Sequence, residues 1–204
     1  PDSYNTRLFD TRQGLYWPQM SPAQRVQSAT SFGRVVWDGS YVTAGIPSVL
    51  VFGSPVVNVA QPPAIAGNYQ FGTAAFGPPV GQPNVSAQVV AAIDAADAAG
   101  PATTDGCSAF TNAAEVAGRI VMVERGTCGF AVKARNATNA GAAAVVIYNN
   151  AANVNSAPPG MANDGVNGAF VTIPTVSMAR ADALAIVAQL GAGVFMDIGV
   201  DTTI

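Results

Sequence analysis

Cys128 and Lys133 lie close together in ERGTCGFAVKARNATNAGAAAVVIYNN, residues 124–150, and their types bear most directly on chemistry. Cys128 is one of 2 cysteines, and Lys133 is the sole lysine. A cysteine attacks as thiolate, which needs a nearby base or cation. The chain contains no histidine. Neither a Ser-His-Asp nor a Cys-His arrangement can therefore be built. Zinc sites with His ligands are excluded as well, and two cysteines fall short of the four that an all-Cys site needs. What remains is a Ser–Lys dyad through Lys133, which requires a serine about 3 Å away and a desolvated amine. Cys107 offers Cys128 a different fate. An even cysteine count in a chain of extracellular character favours a Cys107–Cys128 disulfide. Closing that loop would stabilise the fold by roughly 3 kcal/mol, mostly through the unfolded state.

Other candidates are weaker. Asp94 and Asp97 could serve as paired carboxylates for glycosidic chemistry, but nothing places them across a cleft, and they read as exposed loop acids. Asp164, in MANDGVNG, sits among oxygen-bearing side chains and glycines. The periodic acids and terminal Glu of a calcium loop are missing, so it reads as a surface turn. GTAAFGPPVG is glycine-rich without phosphate-loop spacing or a Lys-Ser/Thr ending, which excludes a nucleotide site of that kind. Asn84-Val-Ser and Asn136-Ala-Thr match the glycosylation pattern. No cofactor is implied.

The elements that must position these residues are legible from residue 106 onward. Arg119 to Glu124 reads as a buried strand. A helix from about Phe130 to Ala140 places Phe130, Ala134 and Ala137 on one stripe, with Gly141 as left-handed cap. AAAVVIYNN is apolar on both faces, as a parallel strand is. Strand, helix and strand make a βαβ unit. FVTIPTVSM is a further strand with Pro174 near its start or edge. Ala179 to Leu190 reads as a helix burying Ala183, Ile186, Val187 and Leu190, and VFMDIGV as a final strand. AQVVAAIDA (87–95) is read as a strand, and the loop from Asn149 to Asn167 as exposed.

Residues 1–55 read as an arm. Ser21-Pro22 signals a helix start, Asp38-Gly39 a hairpin, and Trp17 and Trp37 are packing anchors. Residues 55–85, rich in Pro and Gly, suit edge strands and loops. The 204 residues suffice for one good core with an appended arm.

Charge is sparse: 9 basic residues face 12 acidic ones, for a net charge of −3. With no basic cluster, nucleic acid and anionic membrane have nothing to hold. The apolar runs fall far short of the ~20 residues of a membrane span. Low charge with abundant Ala, Gly, Thr and Asn suggests a secreted or cell-surface protein. Starting at Pro1, the sequence reads as a piece of a longer polypeptide.

AGRIVMVERGTCGFAVKARNATNAGAAAVVIYNN resembles the core of the protease-associated (PA) domain. The matching positions are Arg125, Gly126, Cys128, Phe130, Lys133, Asn136 and Ala140-Gly141-Ala142. TIPTVSMARADALAIVAQL resembles the family's next strand and helix, GCSAF the first half of the disulfide in its bacterial secreted members, and AIAGNYQFGTAAFGPPV their lead-in strand. The resemblance covers about residues 56–198, so a PA-like domain is expected over 56–204. It implies an α/β (mixed) swivelling β/β/α fold, a small β-barrel or sandwich with flanking helices.

It also implies an accessory module, not an enzyme, within a larger secreted protein such as a peptidase. Such a module binds peptide or protein, neighbouring domains of the same polypeptide included, or gates substrate access. The loop used by receptor-type relatives points to Arg125, Gly126, Thr127, Gly129, Phe130 and Lys133 as the binding residues. The alternative placement of Lys133 is along the helix surface. A structural or adhesion module of a bacterial cell-surface protein is the competing reading, suited by the same composition.

Overall fold

The computed structural model describes residues 9–10, 15–16, 54–153 and 157–201. The chain divides into two units, Pro1–Ser54 with Thr202–Ile204, and Pro55–Asp201. In the first, β1 (Phe9–Asp10) pairs antiparallel with β2 (Leu15–Tyr16). The helix start at Ser21, the hairpin at Asp38-Gly39, Trp17 and Trp37 lie outside the described residues.

The second unit is built on one eight-stranded sheet of mixed α/β architecture. Its strands are β3 (Ser54–Gln61), β4 (Gly67–Asn68), β5 (Phe71–Thr73), β6 (Val85–Ala91), β7 (Ile120–Glu124), β8 (Ala144–Tyr148), β9 (Thr175–Met178) and β10 (Phe195–Asp201). The helices are α1 (Ala113–Val116), α2 (Phe130–Asn139) and α3 (Arg180–Val187). The strand order is β4-β3-β10-β6-β7-β8-β9-β5. β4 and β5 are near neighbours in sequence yet occupy opposite ends of that order. The sheet therefore curls into a half-barrel, and residues 67–73 run from one edge to the other. β4 pairs through Asn58↔Asn68, and β5 through Phe71↔Met178.

β6, β7, β8 and β9 run parallel. Parallel strands covered on both faces read as continuous apolar runs. The alternation inside β7 and β8 divides the core accordingly. Ile120, Met122, Val146 and Tyr148 face the barrel interior, with Val57, Met196, Ile198 and, from α3, Ala183 and Ile186. Val121, Val123, Val145 and Ile147 face α2 through Ala131, Ala134 and Ala137. α2 ends as its sequence requires. Gly141 has φ +76, Gly141 N–H donates to Thr138 O at 2.9 Å, and Ala142 N–H to Ala137 O at 3.1 Å. These are the paired bonds of a glycine-capped helix end.

Pro174 immediately precedes β9, where its missing N–H costs no ladder bond, and its carbonyl accepts from Val145 N–H at 3.0 Å. β6 ends at Ala91, so Ile93 lies beyond the strand and is exposed. The connection after β8 is less open than its composition suggests. Asn149 and Met161 are buried, because Asn149 bonds across the sheet end and Met161 packs with the α2-side core. Among the described residues, no helix is long and apolar enough to cross a membrane.

Candidate functional site

The carboxyl ends of parallel strands are where loops diverge and leave a crevice. Glu124 and Tyr148, the last residues of β7 and β8, are register partners. Beyond them lies a cleft of about 480 Å³, lined by Pro101, Ala102, Asp105, Glu124, Arg125, Gly126, Thr127, Asn150, Ala151 and Ala152.

Its polar rim is fixed by hydrogen bonds. Arg125 N–H donates to Tyr148 O at 2.7 Å, and Arg125 Nη1 to Asn149 Oδ1 at 3.1 Å. The same guanidinium stands 5.5 Å over the Phe130 ring, within cation–π range. Asn149 Nδ2 donates to Ala157 O at 3.0 Å. Glu124 pairs with Arg180 at the start of α3 and accepts from Thr104 Oγ1 at 3.3 Å. Arg180 Nη1 also donates to Asn149 O at 3.3 Å. Burial, reinforced by the Glu124 charge and opposed by Arg180, pushes the Tyr148 hydroxyl up to about 12.

Behind this rim lies a buried polar knot. Cys107 and Cys128 are joined, with their Cα atoms 5.6 Å apart. Cys128 N–H donates to Cys107 Sγ at 3.2 Å. Lys133 is 0% exposed; its ammonium donates to Asp105 O and stands 3.4 Å from each sulfur. Burial lowers its pKa to about 8, against the opposing charges of Asp105, Asp94 and Glu124. Asp105 Oδ1 accepts from Cys107 N–H at 3.1 Å, and Asn136 Nδ2 donates to Gly106 O at 2.9 Å.

The structure therefore separates the six residues expected to bind. Arg125, Gly126 and Thr127 line the cleft. Gly129 is the exposed N-cap of α2, and Phe130 is half-buried beneath Arg125. Lys133 is neither on the helix surface nor facing the cleft. It lies on the buried side of α2, between Phe130 and Ala137, and its amine points at the disulfide. The partners of that amine include no serine, so the Ser–Lys arrangement has no nucleophile.

Asp94 also departs from expectation. It is 2% exposed, and its Oδ2 accepts from Ser108 N–H at 3.1 Å. Asp97 is exposed and accepts from Ser108 Oγ at 2.6 Å. The two acids hold one serine; they do not face each other across a cleft. Asp164 is an exposed turn residue whose Oδ1 accepts from Val166 N–H at 3.0 Å and Asn167 N–H at 2.7 Å. No group of three acidic or cysteine side chains suited to a metal ion occurs among the described residues.

The sequence scan for active residues missed Asp105, Glu124, Asn149, Asn150 and Arg180. All but Asn150 hold or line the rim through partners distant in sequence. The doublet Asn149-Asn150, ending an apolar run, was the one local signal.

Parts of this chain are similar to known proteins. An aminopeptidase of Pseudomonas aeruginosa (strain UCBPP-PA14) is 47% identical over 66 residues, which is 32% of this chain and 12% of that protein. ER degradation-enhancing alpha-mannosidase-like protein 3 of Homo sapiens is 42% identical over 74 residues, 35% of this chain and 8% of that protein. The chain thus matches only about a tenth of the length of these relatives. Among solved structures, BSAP, a zinc aminopeptidase from Bacillus subtilis, superposes with a TM-score of 0.52 at 22% identity, covering 72% of this chain and 30% of that one. That likeness is one of fold. Residues 85–186, half of the chain and the whole stretch from β6 into α3, match the PA domain, and the chain belongs to that family.

Proposed function

We infer that this chain is a non-catalytic accessory module of a larger secreted peptidase, and that its cleft holds an extended peptide or a segment of a neighbouring domain. The observation that carries this reading is the cleft at the ends of β7 and β8. Its rim presents Thr127 and the backbone of Gly126 beside a guanidinium already fixed by Asn149 and Phe130. Fixed donors beside a concavity suit recognition, because little side-chain entropy is lost on binding. The relatives support the accessory role. Similar segments occur in an aminopeptidase and in an alpha-mannosidase-like protein, two names that imply different chemistry. A segment shared by both would not be what sets either reaction. The disulfide and low charge agree with an extracellular setting.

The test is amide chemical-shift mapping of the chain titrated with a tryptic digest of casein. Shifts concentrated at Arg125–Thr127 and Asn150–Ala152 are expected, with no peptide cleaved. Shifts confined to other surfaces would refute the cleft assignment. Hydrolysis abolished by a substitution in this chain would refute the accessory role.

A further inference from the structure

Lys133 is the largest fully buried side chain among the described residues, and recognition at the cleft does not use it. Its amine is 3.4 Å from both sulfurs and is held there by Asp105 O. The charged groups bearing on it are Asp105, Asp94 and Glu124. A cation gains little from the neutral sulfurs of a disulfide. It stabilises a thiolate strongly, more so away from water. The two sulfurs are also unequal. Cys107 is 6% exposed, whereas Cys128 is half-buried between the exposed residues Thr127 and Gly129.

We propose that Cys107–Cys128 is a thiol-exchange site, in which a small thiol from solvent attacks Cys128 and the buried Lys133 ammonium receives the departing Cys107 thiolate. In the first step the attacking thiolate bonds to Cys128 Sγ. The Cys107–Cys128 bond breaks, and its electron pair goes to Cys107 Sγ beside the ammonium. In the second step another thiolate attacks the outer sulfur of the mixed disulfide and releases Cys128. Two thiol molecules are oxidised to one small disulfide and one protein disulfide is reduced; one thiol proton ends on Cys128 Sγ and the other passes to solvent, leaving Cys107 as thiolate beside the ammonium. Exchange is faster when the leaving thiol has a low pKa, which is what Lys133 supplies. Asp105 and Thr127 both line the cleft and sit close in sequence to the two cysteines, so exchange releases its walls from one another. The chemistry itself does not depend on what the cleft binds.

The folded, oxidised chain is incubated with excess glutathione, quenched by alkylation and mapped by peptide mass spectrometry. A glutathione adduct on Cys128 with Cys107 free is expected. An adduct on Cys107, or a Cys107–Cys128 bond left intact, overturns the proposal. Lys133→Met is expected to slow reduction at least about tenfold, since the leaving thiolate loses its cation. An equal or faster rate overturns it. Should Lys133→Met fail to fold, the reduced wild-type chain decides by its ultraviolet thiolate absorbance. One thiol is expected to titrate well below the ordinary value of ~8.5. Titration of both at or above that value overturns the proposal.

Discussion

Gly126 stands against Asp105 with no room for a side chain: a methyl group there would lie 2.6 Å from Asp105 Cβ and 3.0 Å from its Oδ2. Asp105 has nowhere to retreat. It is 2% exposed, its Oδ1 holds Cys107 N–H and its carbonyl holds Lys133. Gly126→Ala is therefore expected to destabilise the domain by roughly 1–3 kcal/mol, the usual cost of overpacking. Gly129 is the internal control, since nothing lies within 4 Å of a methyl group placed there. Gly129→Ala should change stability by less than about 1 kcal/mol. Urea unfolding of both variants checks this, and equal stabilities would contradict the packing account.

Lys133 and Tyr148 give stability opposite slopes at alkaline pH. Burial lowers the Lys133 pKa from 10.5 to about 8. Between those values the unfolded chain holds a proton that the folded chain has released, so stability rises with pH. Below about pH 8 both states hold it, and the cost of the buried charge is present in full. The rise is on the order of 3 kcal/mol. Tyr148 is raised from 10.0 to about 12 by burial and the Glu124 charge. Between those values the folded chain keeps a proton that the unfolded chain has lost, and stability falls. A maximum near pH 10 is expected in urea unfolding followed across pH. Lys133→Met leaves Asp105 O without its donor but also removes the cost of the buried charge, so the two effects oppose and stability at neutral pH should change by less than about 2 kcal/mol. It should also lack the rise above pH 8.

How much of this was legible in the sequence depends on where the determining partners lie. β7, α2 and β8 were readable because apolar runs, a helical stripe and a capping glycine are local signals. The inward direction of Lys133 was readable too, since positions 130, 133, 134 and 137 share one helical face. The charge of lysine argued for the surface and concealed it, and only the folded partners Asp105 and Cys107 explain how it is accommodated. The curl of the sheet was not readable. It depends on residues 67–73 pairing with β3 at one end and β9 at the other, which no periodicity encodes. The rim of the cleft was half readable. Arg125 to Thr127 form a motif, whereas Glu124 meets Arg180 across 56 residues.

Asp164 should behave as a turn cap and not as a calcium ligand. Bonds from the Asn167 side chain and the Val166 N–H, opposed by desolvation, lower its pKa to about 2. The sign follows from the direction. The turn is supported above the unfolded value of 3.8 and loses that support as pH falls through about 2. The amide resonances of Val166 and Asn167 should therefore titrate with a midpoint near pH 2. Millimolar calcium should leave them unmoved. A midpoint near the ordinary carboxylate value would remove the capping role, and a calcium-dependent shift would restore the metal reading.

The Glu124–Arg180 pair makes Tyr148 a reporter of charge at the carboxyl ends of β7 and β8. Both side chains are partly exposed, 20% for Arg180 and 23% for Glu124, so solvent screens the pair. Arg180→Ala also leaves Asn149 O without a donor. A loss of about 1–2 kcal/mol is expected, above that of an ordinary surface pair. The Tyr148 titration separates the two partners. Glu124 raises the Tyr148 pKa and Arg180 lowers it. Glu124→Gln should therefore bring the tyrosinate absorbance transition down from about 12, and Arg180→Ala should push it higher. Stability alone would fall in both variants, so only the opposed pKa shifts show that the two charges act on Tyr148 from their places at the ends of β7 and the start of α3. Shifts of the same sign in both would mean that loosened packing, not charge, sets the Tyr148 pKa.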